Sequence, residues 1–246
     1  MSTGKLWGVG LGPGDPELLT VKAARLIGEA DVIAYHSARH GRSIARSVAE
    51  PYLRAGQIEV AMIYPVTTET TEHPGGYEGA ITEFYARSAE QLAEHLDAGR
   101  DVAVLCEGDP FFYGSFMHLY VRLQGRAEVE VIAGIPGMAG CWNAVGMPIA
   151  LGDDVMTVLM GTLPEDELAK RACNSDALVV MKTGRNLGKV RRALQAAGRL
   201  DEAWLIERGT MPGERVTRLR DVDTTECPYF AIVLVHGRGR RQEAAE

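Results

Sequence analysis

The octapeptide Gly8-Val9-Gly10-Leu11-Gly12-Pro13-Gly14-Asp15 leaves a short apolar run over residues 6–10 and enters a helical repeat over residues 15–30. In that repeat Leu18, Leu19, Ala23, Leu26 and Ile27 share one face. A strand, a glycine-rich turn and a helix in this order invite comparison with the dinucleotide loop G-x-G-x-x-G. The third glycine of that motif would fall on Pro13. The acidic residue expected at the end of the next strand is also missing, because Asp31 opens that strand instead. Alternating glycines around a Pro-Gly step predict a tight turn whose backbone can closely approach a flat ligand. A single glycine here needs no more than a turn to explain it, whereas four in alternation beside Pro13 point to a ligand.

Outward from this segment, strand-like and helix-like stretches alternate. Residues 31–35 and 58–64 read as strands, and a polar, Thr-rich loop runs on to residue 76. Residues 77–98 carry a helical repeat that Gly99 stops. Residues 101–106 form a continuous apolar run, as expected of a strand buried on both faces, and 129–133 is another strand. This alternation predicts an α/β fold with a largely parallel sheet. A second series begins near residues 151–154, which divides the chain into an N-terminal α/β domain over 1–152 and a C-terminal α/β domain over 153–246. Its elements are strands 155–160, 177–181 and 203–206 with helices 165–172 and 187–197. Two last strands, 215–219 and 229–235, are expected to pair with each other antiparallel, and the charged tail 237–246 is expected to fray.

Two later segments repeat the strand-to-loop transition. Leu105-Cys106-Glu107-Gly108-Asp109-Pro110-Phe111-Phe112-Tyr113-Gly114 follows a buried strand, and open α/β sheets bind ligands at such carboxyl ends. Asp109 has a plain structural use as a side-chain cap of the turn. Core packing would also account for the three aromatics. The third segment, Ile132-Ala133-Gly134-Ile135-Pro136-Gly137-Met138-Ala139-Gly140, is rich in small residues and is a weak signal taken alone.

Composition narrows the choices. A formal net charge of −7 argues against nucleic acid as a general partner, which needs a basic face. No apolar run approaches the roughly 20 residues that span a bilayer, and the start of the chain lacks a secretory signal, so a cytoplasmic protein without a membrane partner is expected. Cys106, Cys141, Cys173 and Cys227 form no CxxC pair and read as reduced thiols. His36 and His40 stand four apart with no cysteine or carboxylate near them, so no metal site is expected.

Together the three glycine loops resemble the tetrapyrrole (uroporphyrinogen/corrin) methylase family, whose G-x-G-P-G-D, G-D-P and P-G loops occur in this order and spacing. The resemblance continues through Leu178–Lys182 and Glu207–Thr210 and covers essentially the whole chain. Within the family it is greatest to the enzymes of aerobic cobalamin biosynthesis that methylate carbon 20 of precorrin-2. The stretches 31–35, 41–46, 107–113, 134–142 and 152–154 carry that likeness.

The resemblance implies two α/β domains with a cofactor cleft between them, a homodimer, S-adenosylmethionine as methyl donor and S-adenosylhomocysteine as product. Matched by motif position, the implied cofactor contacts are Pro13, Glu107, Gly108, Asp109, Phe112, Pro136, Gly137, Met181 and Gly209. Ala133 stands where relatives have proline, and Pro136-Gly137 where many have a hydroxyl-bearing pair, so the third loop departs from the pattern. Methyl transfer from a sulfonium needs alignment and dryness rather than a metal or a covalent protein intermediate. No base for the departing proton is identifiable.

The implied tetrapyrrole carries many carboxylates, while the protein is net acidic. Residues 35–54 hold Arg39, Arg42, Arg46 and Arg54 against the single acid Glu50, with His36 and His40 as further donors. Arginine–carboxylate pairing is the expected use of Arg39, Arg42 and Arg46, with a solvated helix face as the plain alternative. Lys182, with Arg185, is a second candidate. Three readings compete: the same chemistry at another ring carbon or on the cobalt-loaded precursor, a nucleotide-dependent oxidoreductase using the glycine loop, and a catalytically silent tetrapyrrole carrier.

Overall fold

The structure is a computed structural model that describes residues 3–39, 42–65, 73–225 and 227–239. His40, much of the Thr-rich loop and most of the charged tail lie outside the described residues. The chain forms two compact units, Met1–Gly137 and Met138–Glu246.

The first unit contains β1 (Lys5–Gly10), α1 (Val21–Glu29), β2 (Val32–Ser37), α2 (Ile44–Ala49) and β3 (Ile58–Ile63). It continues with α3 (Gly76–Asp97), β4 (Val102–Cys106), α4 (Phe116–Leu123) and β5 (Glu128–Ile132). Its five strands are all parallel, in the order β3-β2-β4-β1-β5. Alternation along each strand sends Leu6, Val102 and Val104 to one face, where they meet Phe84, Leu92 and Leu96 of α3 with Phe116 and Leu119 of α4. Trp7, Val9, Ala103 and Leu105 point the other way, against Leu26 and Ile27 of α1 with Ala45 and Val48 of α2. Every residue of β4 is buried, as its unbroken apolar run requires.

The helices therefore change face between β1 and β4. The crossover leaving β1 runs over one side of the sheet and the one leaving β4 over the other, although the two strands are neighbours. Such a change of direction opens a crevice outside the carboxyl ends of the two strands, where open α/β sheets hold their ligands.

The first helix is shorter than the sequence pattern suggests. Pro16–Leu18 form a single 3-10 turn capped by Asp15, and α1 starts only at Val21, where the Thr20 side chain accepts the Ala23 N–H at 3.1 Å. A hydroxyl cap six residues inside the apolar repeat resets the helix start.

The second unit contains α5 (Gly137–Val145, whose first residue ends the first unit), β6 (Met156–Met160), α6 (Glu165–Cys173), β7 (Ala177–Met181) and α7 (Leu187–Ala196). The strands β8 (Ala203–Glu207), β9 (Arg215–Arg218) and β10 (Ala231–Val235) complete it. Leu168 of α6 and Val190 and Leu194 of α7 pack on Leu178, Val180, Leu205 and Val233. The sheet order is β6-β7-β10-β8-β9. The expected pairing of the last two strands with each other is thus corrected: β9 pairs antiparallel with β8, and β10 inserts between β7 and β8, antiparallel to both. The short connection after β8 returns β9 alongside it at the edge of the sheet. The long connection from residue 219 to 230 carries the chain across to the central slot, where all five residues of β10 are buried.

The division between units falls at the start of α5, whereas the run of strand and helix patterns places it at 152/153. Residues 141–154 are tied to the C-terminal half. A Cβ at Gly209 would meet Cys141 Sγ at 2.8 Å, His236 Nδ1 bonds Pro148 O at 2.9 Å, Gly237 N–H donates to Ile149 O at 2.9 Å, and Asp154 accepts from Gly239 N–H at 3.0 Å.

Candidate functional site

The three glycine loops leave β1, β4 and β5, which stand side by side in the first sheet, and their backbones are joined directly. Gly12 N–H donates to Gly108 O at 3.3 Å, and Gly108 N–H returns the bond to Gly12 O at 2.8 Å. Asp109 closes the third side. One carboxylate oxygen accepts the Phe111 N–H at 2.9 Å within its own turn, and the other accepts the Gly134 N–H at 3.0 Å from the third loop. Both oxygens of Asp109 are thereby used on loop backbone. The turn-capping role read from the sequence holds, and the same side chain also fastens two loops together.

Glycine is required where these loops cross. A Cβ on Gly134 would lie 2.1 Å from Gly108 O and 2.8 Å from Gly10 Cα, and one on Gly10 would lie 2.6 Å from Gly134 N. Gly12 (φ +75°) and Gly108 (φ +68°) also sit in the left-handed region. Gly137 differs, because a Cβ there would meet nothing within 4 Å. Pro13 is half-buried between two glycines of positive φ, Gly12 and Gly14. Pro136 and Gly137 lie against Gly108, with Gly137 N 3.5 Å from where its Cβ would be.

Beyond the crossing, Phe112 is half-buried and meets Tyr113 edge to face at 5.0 Å, while Phe111 and Tyr113 are each close to half exposed. Tyr113 has φ +55°. The other non-glycine residues of positive φ among those described are Lys182, Arg208 and Thr210, all in the second unit at the ends of β7 and β8. Each flanks a residue that the family resemblance implies for the cofactor: Tyr113 follows Phe112, Lys182 follows Met181, and Arg208 and Thr210 bracket Gly209. Left-handed backbone costs a non-glycine residue on the order of 1–3 kcal/mol and concentrates at ligand clamps. Met181 is half-buried and Gly209 buried.

Glu107 departs from its neighbours. As a residue it is solvent-accessible, yet protein surrounds its carboxyl closely enough that desolvation raises its pKa above the ordinary carboxylate value. Its Oε1 accepts the Ala45 N–H of α2 at 3.2 Å, which partly offsets that rise. Next to it, burial pushes the Cys106 thiol well up, so this cysteine stays protonated and inert.

The arginines separate into two groups. Arg46 is committed: its guanidinium grips Glu59 through two bonds of 2.8 and 3.0 Å, and Tyr35 OH donates to the same carboxylate at 3.0 Å. Arg54 donates to the carbonyls of Gly28 and Ala30 at the end of α1. Arg39 and Arg42 are exposed and make no ion pair among the described residues, and Lys182 and Arg185 are likewise exposed. His36 lies inward, stacked on Tyr64 with ring centroids 5.3 Å apart, and its Nε2 is buried without a partner. Desolvation lowers its pKa to about 4.

Three links escaped the sequence: Glu107 to Ala45, Asp109 to Gly134, and the Tyr35–Glu59–Arg46 network. Glu59 on an exposed strand position was the only available signal for the third. Among the described residues no three His, Cys, Asp or Glu side chains gather as a metal site, and no helix is long and apolar enough to cross a membrane.

Residues 5–223 match the family of Tetrapyrrole (Corrin/Porphyrin) Methylases. The chain is 56% identical over 238 residues to the cobalamin biosynthesis protein CobIJ of Mycobacterium tuberculosis, a match covering 97% of this chain and 47% of that protein. The chain thus spans about half the length of the mycobacterial relative. It is 55% identical over 238 residues to the precorrin-2 C(20)-methyltransferase of Sinorhizobium sp., covering 96% of this chain and 97% of the relative. Among solved structures, uroporphyrin-III C-methyl transferase from Thermus thermophilus complexed with S-adenyl homocysteine superimposes with a TM-score of 0.67 at 25% identity, over 95% and 92% of the two chains.

Proposed function

Because the chain belongs to the tetrapyrrole (corrin/porphyrin) methylases, we propose that it transfers the methyl group of S-adenosylmethionine to carbon 20 of precorrin-2, giving precorrin-3A in cobalamin biosynthesis. The observation that carries the reading is the locked crossing of three glycine loops at the carboxyl ends of β4, β1 and β5. Its support from outside the chain is the near full-length likeness to a precorrin-2 C(20)-methyltransferase.

When bound, S-adenosylmethionine supplies an already activated methyl group on a sulfonium. Pro13, Gly108, Phe112, Pro136 and Gly137 would hold it, and the family resemblance assigns Met181 and Gly209 the same role; the Asp109 and Glu107 carboxylates turn instead to loop and helix backbone. The fit rests on the loops themselves. The open space at the Gly137 Cβ position lets a ligand approach the backbone, and the strained residues beside Phe112, Met181 and Gly209 mark fixed loops. Phe111, Phe112 and Tyr113 supply apolar surface that keeps water from the reacting atoms. Asp109 acts from behind, fixing the second and third loops through its two bonds. Arg39 and Arg42, with no competing acid among the described residues, meet carboxylates of the tetrapyrrole. We extend the reading to a cytoplasmic homodimer on the strength of the same family resemblance.

The test is to incubate the protein with S-adenosylmethionine and either metal-free precorrin-2 or its cobalt complex, then locate the new methyl by NMR. A methyl at carbon 20 of the metal-free substrate is the expected result. A methyl elsewhere, or turnover of the cobalt complex alone, overturns the assignment.

A further inference from the structure

Glu107 is the residue of the second loop that reaches away from the glycine crossing. Gly108 and Asp109, which follow it, bond to Gly12 and Gly134. Glu107 instead crosses 62 positions of sequence to accept the Ala45 N–H at 3.2 Å. Ala45 lies in the first turn of α2, where backbone N–H groups have no partner within the helix. Ser43 accepts one of them, the Arg46 N–H, at 3.3 Å, and Glu107 accepts another. Helix α2 is therefore capped jointly by its own serine and by the loop that leaves β4.

The helix start so fixed has functional content. Arg42 immediately precedes Ser43, and Arg39 lies three residues further back. Both are exposed without an ion pair among the described residues, while Arg46 inside the helix is anchored to Glu59. The first turn of α2 is thus tied to β3 through the Arg46 side chain and to the cofactor loop through Glu107. A six-residue helix has too few internal bonds to hold its own start.

We propose that Glu107 is a positioning residue that couples the cofactor loop to the start of α2 and to Arg42 directly before it, so that this arginine meets a polycarboxylate substrate in register with that loop. This rests on the functional reading above. Glu107 acts through the helix cap, and for that role it needs an acceptor oxygen rather than a negative charge.

The experiment compares E107A and E107Q with the wild-type protein. Amide hydrogen exchange, read by NMR, reports the cap without any substrate. Exchange at Ala45 should accelerate roughly fivefold to tenfold in E107A, the scale of a lost helix cap, and return toward wild type in E107Q, whose amide oxygen can still accept. In steady state, KM for precorrin-2 should rise about fivefold in E107A with a smaller fall in kcat, and E107Q should recover most of that loss. Thermal melting of both variants checks folding. Wild-type Ala45 protection in E107A overturns the coupling. If E107Q instead matches E107A, with kcat falling and KM unmoved, the carboxylate itself serves the chemistry and the positioning role is refuted. Should the wild-type protein methylate no tetrapyrrole, the functional reading fails, and the exchange data still decide whether Glu107 holds the start of α2.

Discussion

Replacing Gly134 by alanine tests the loop crossing at its tightest point. The added Cβ would stand 2.1 Å from Gly108 O, 2.8 Å from Gly10 Cα and 2.9 Å from Gly10 C, all backbone atoms that no rotamer change can move aside. Ordinary contact begins near 3.4 Å, so the second and third loops must part by roughly 1 Å. The Asp109–Gly134 bond, now 3.0 Å, would stretch or break with them. Forcing an extra methyl into a closed contact costs about 1–3 kcal/mol. A displacement of about 1 Å in groups that align reactants can lower turnover about 100-fold. G134A should therefore melt several degrees lower, and its kcat/KM for methyl transfer should fall on the order of 100-fold. G137A is the control, since its Cβ meets no protein atom within 4 Å and alanine suits the start of a helix. It should keep the melting temperature while weakening S-adenosylhomocysteine binding, measured by calorimetry, if the cofactor approaches that backbone. G134A with wild-type affinity and turnover would show that the crossing does not align the site.

His36 makes stability depend on pH. Its folded pKa of about 4 lies below the ordinary 6.5, so the unfolded chain takes up a proton that the folded chain refuses. The contribution is complete above about pH 6.5 and is lost as pH falls toward 4, on the order of 3 kcal/mol in all. Urea unfolding at pH 7 and pH 5 should show a drop that His36→Phe, retaining the aromatic stack on Tyr64, reduces by about 2 kcal/mol. Equal drops in the two proteins would locate the sensitivity elsewhere. The arginines should divide by partner: Arg46→Ala, which strands Glu59, should cost about 1 kcal/mol of stability with little change in tetrapyrrole affinity. The double change Arg39→Ala and Arg42→Ala should leave melting unchanged and weaken tetrapyrrole binding several-fold. The opposite pattern would mean that Arg46 is the substrate contact.

The sequence by itself determined the elements and the loops. Apolar runs such as 101–106 and the helical repeat over 77–98 announce β4 and α3 because burial on both faces, or on one stripe, must be written locally. Gly12, Pro13 and Gly108 are legible for a similar reason: left-handed and tightly turned backbone restricts residue type at the position itself. Helix starts were less legible, because the hydroxyl of Thr20 outweighed an apolar pattern that began earlier. Only the tertiary structure decided which strands meet. Nothing local in 215–219 or 229–235 reveals that β10 lies between β7 and β8, since strand order depends on where a long connection can carry the chain. The same holds within the candidate site. Arg39, Arg42 and Arg46 look equivalent in sequence, and folding separates them by bringing Glu59 beside one of them. Asp109 and Glu107, two residues apart, are likewise sent to Gly134 and Ala45 because the sheet sets β5, one strand away across β1, on one side of β4 and β2 on the other. Local backbone preference is encoded residue by residue, whereas the partner of a charged side chain is set by packing between distant segments.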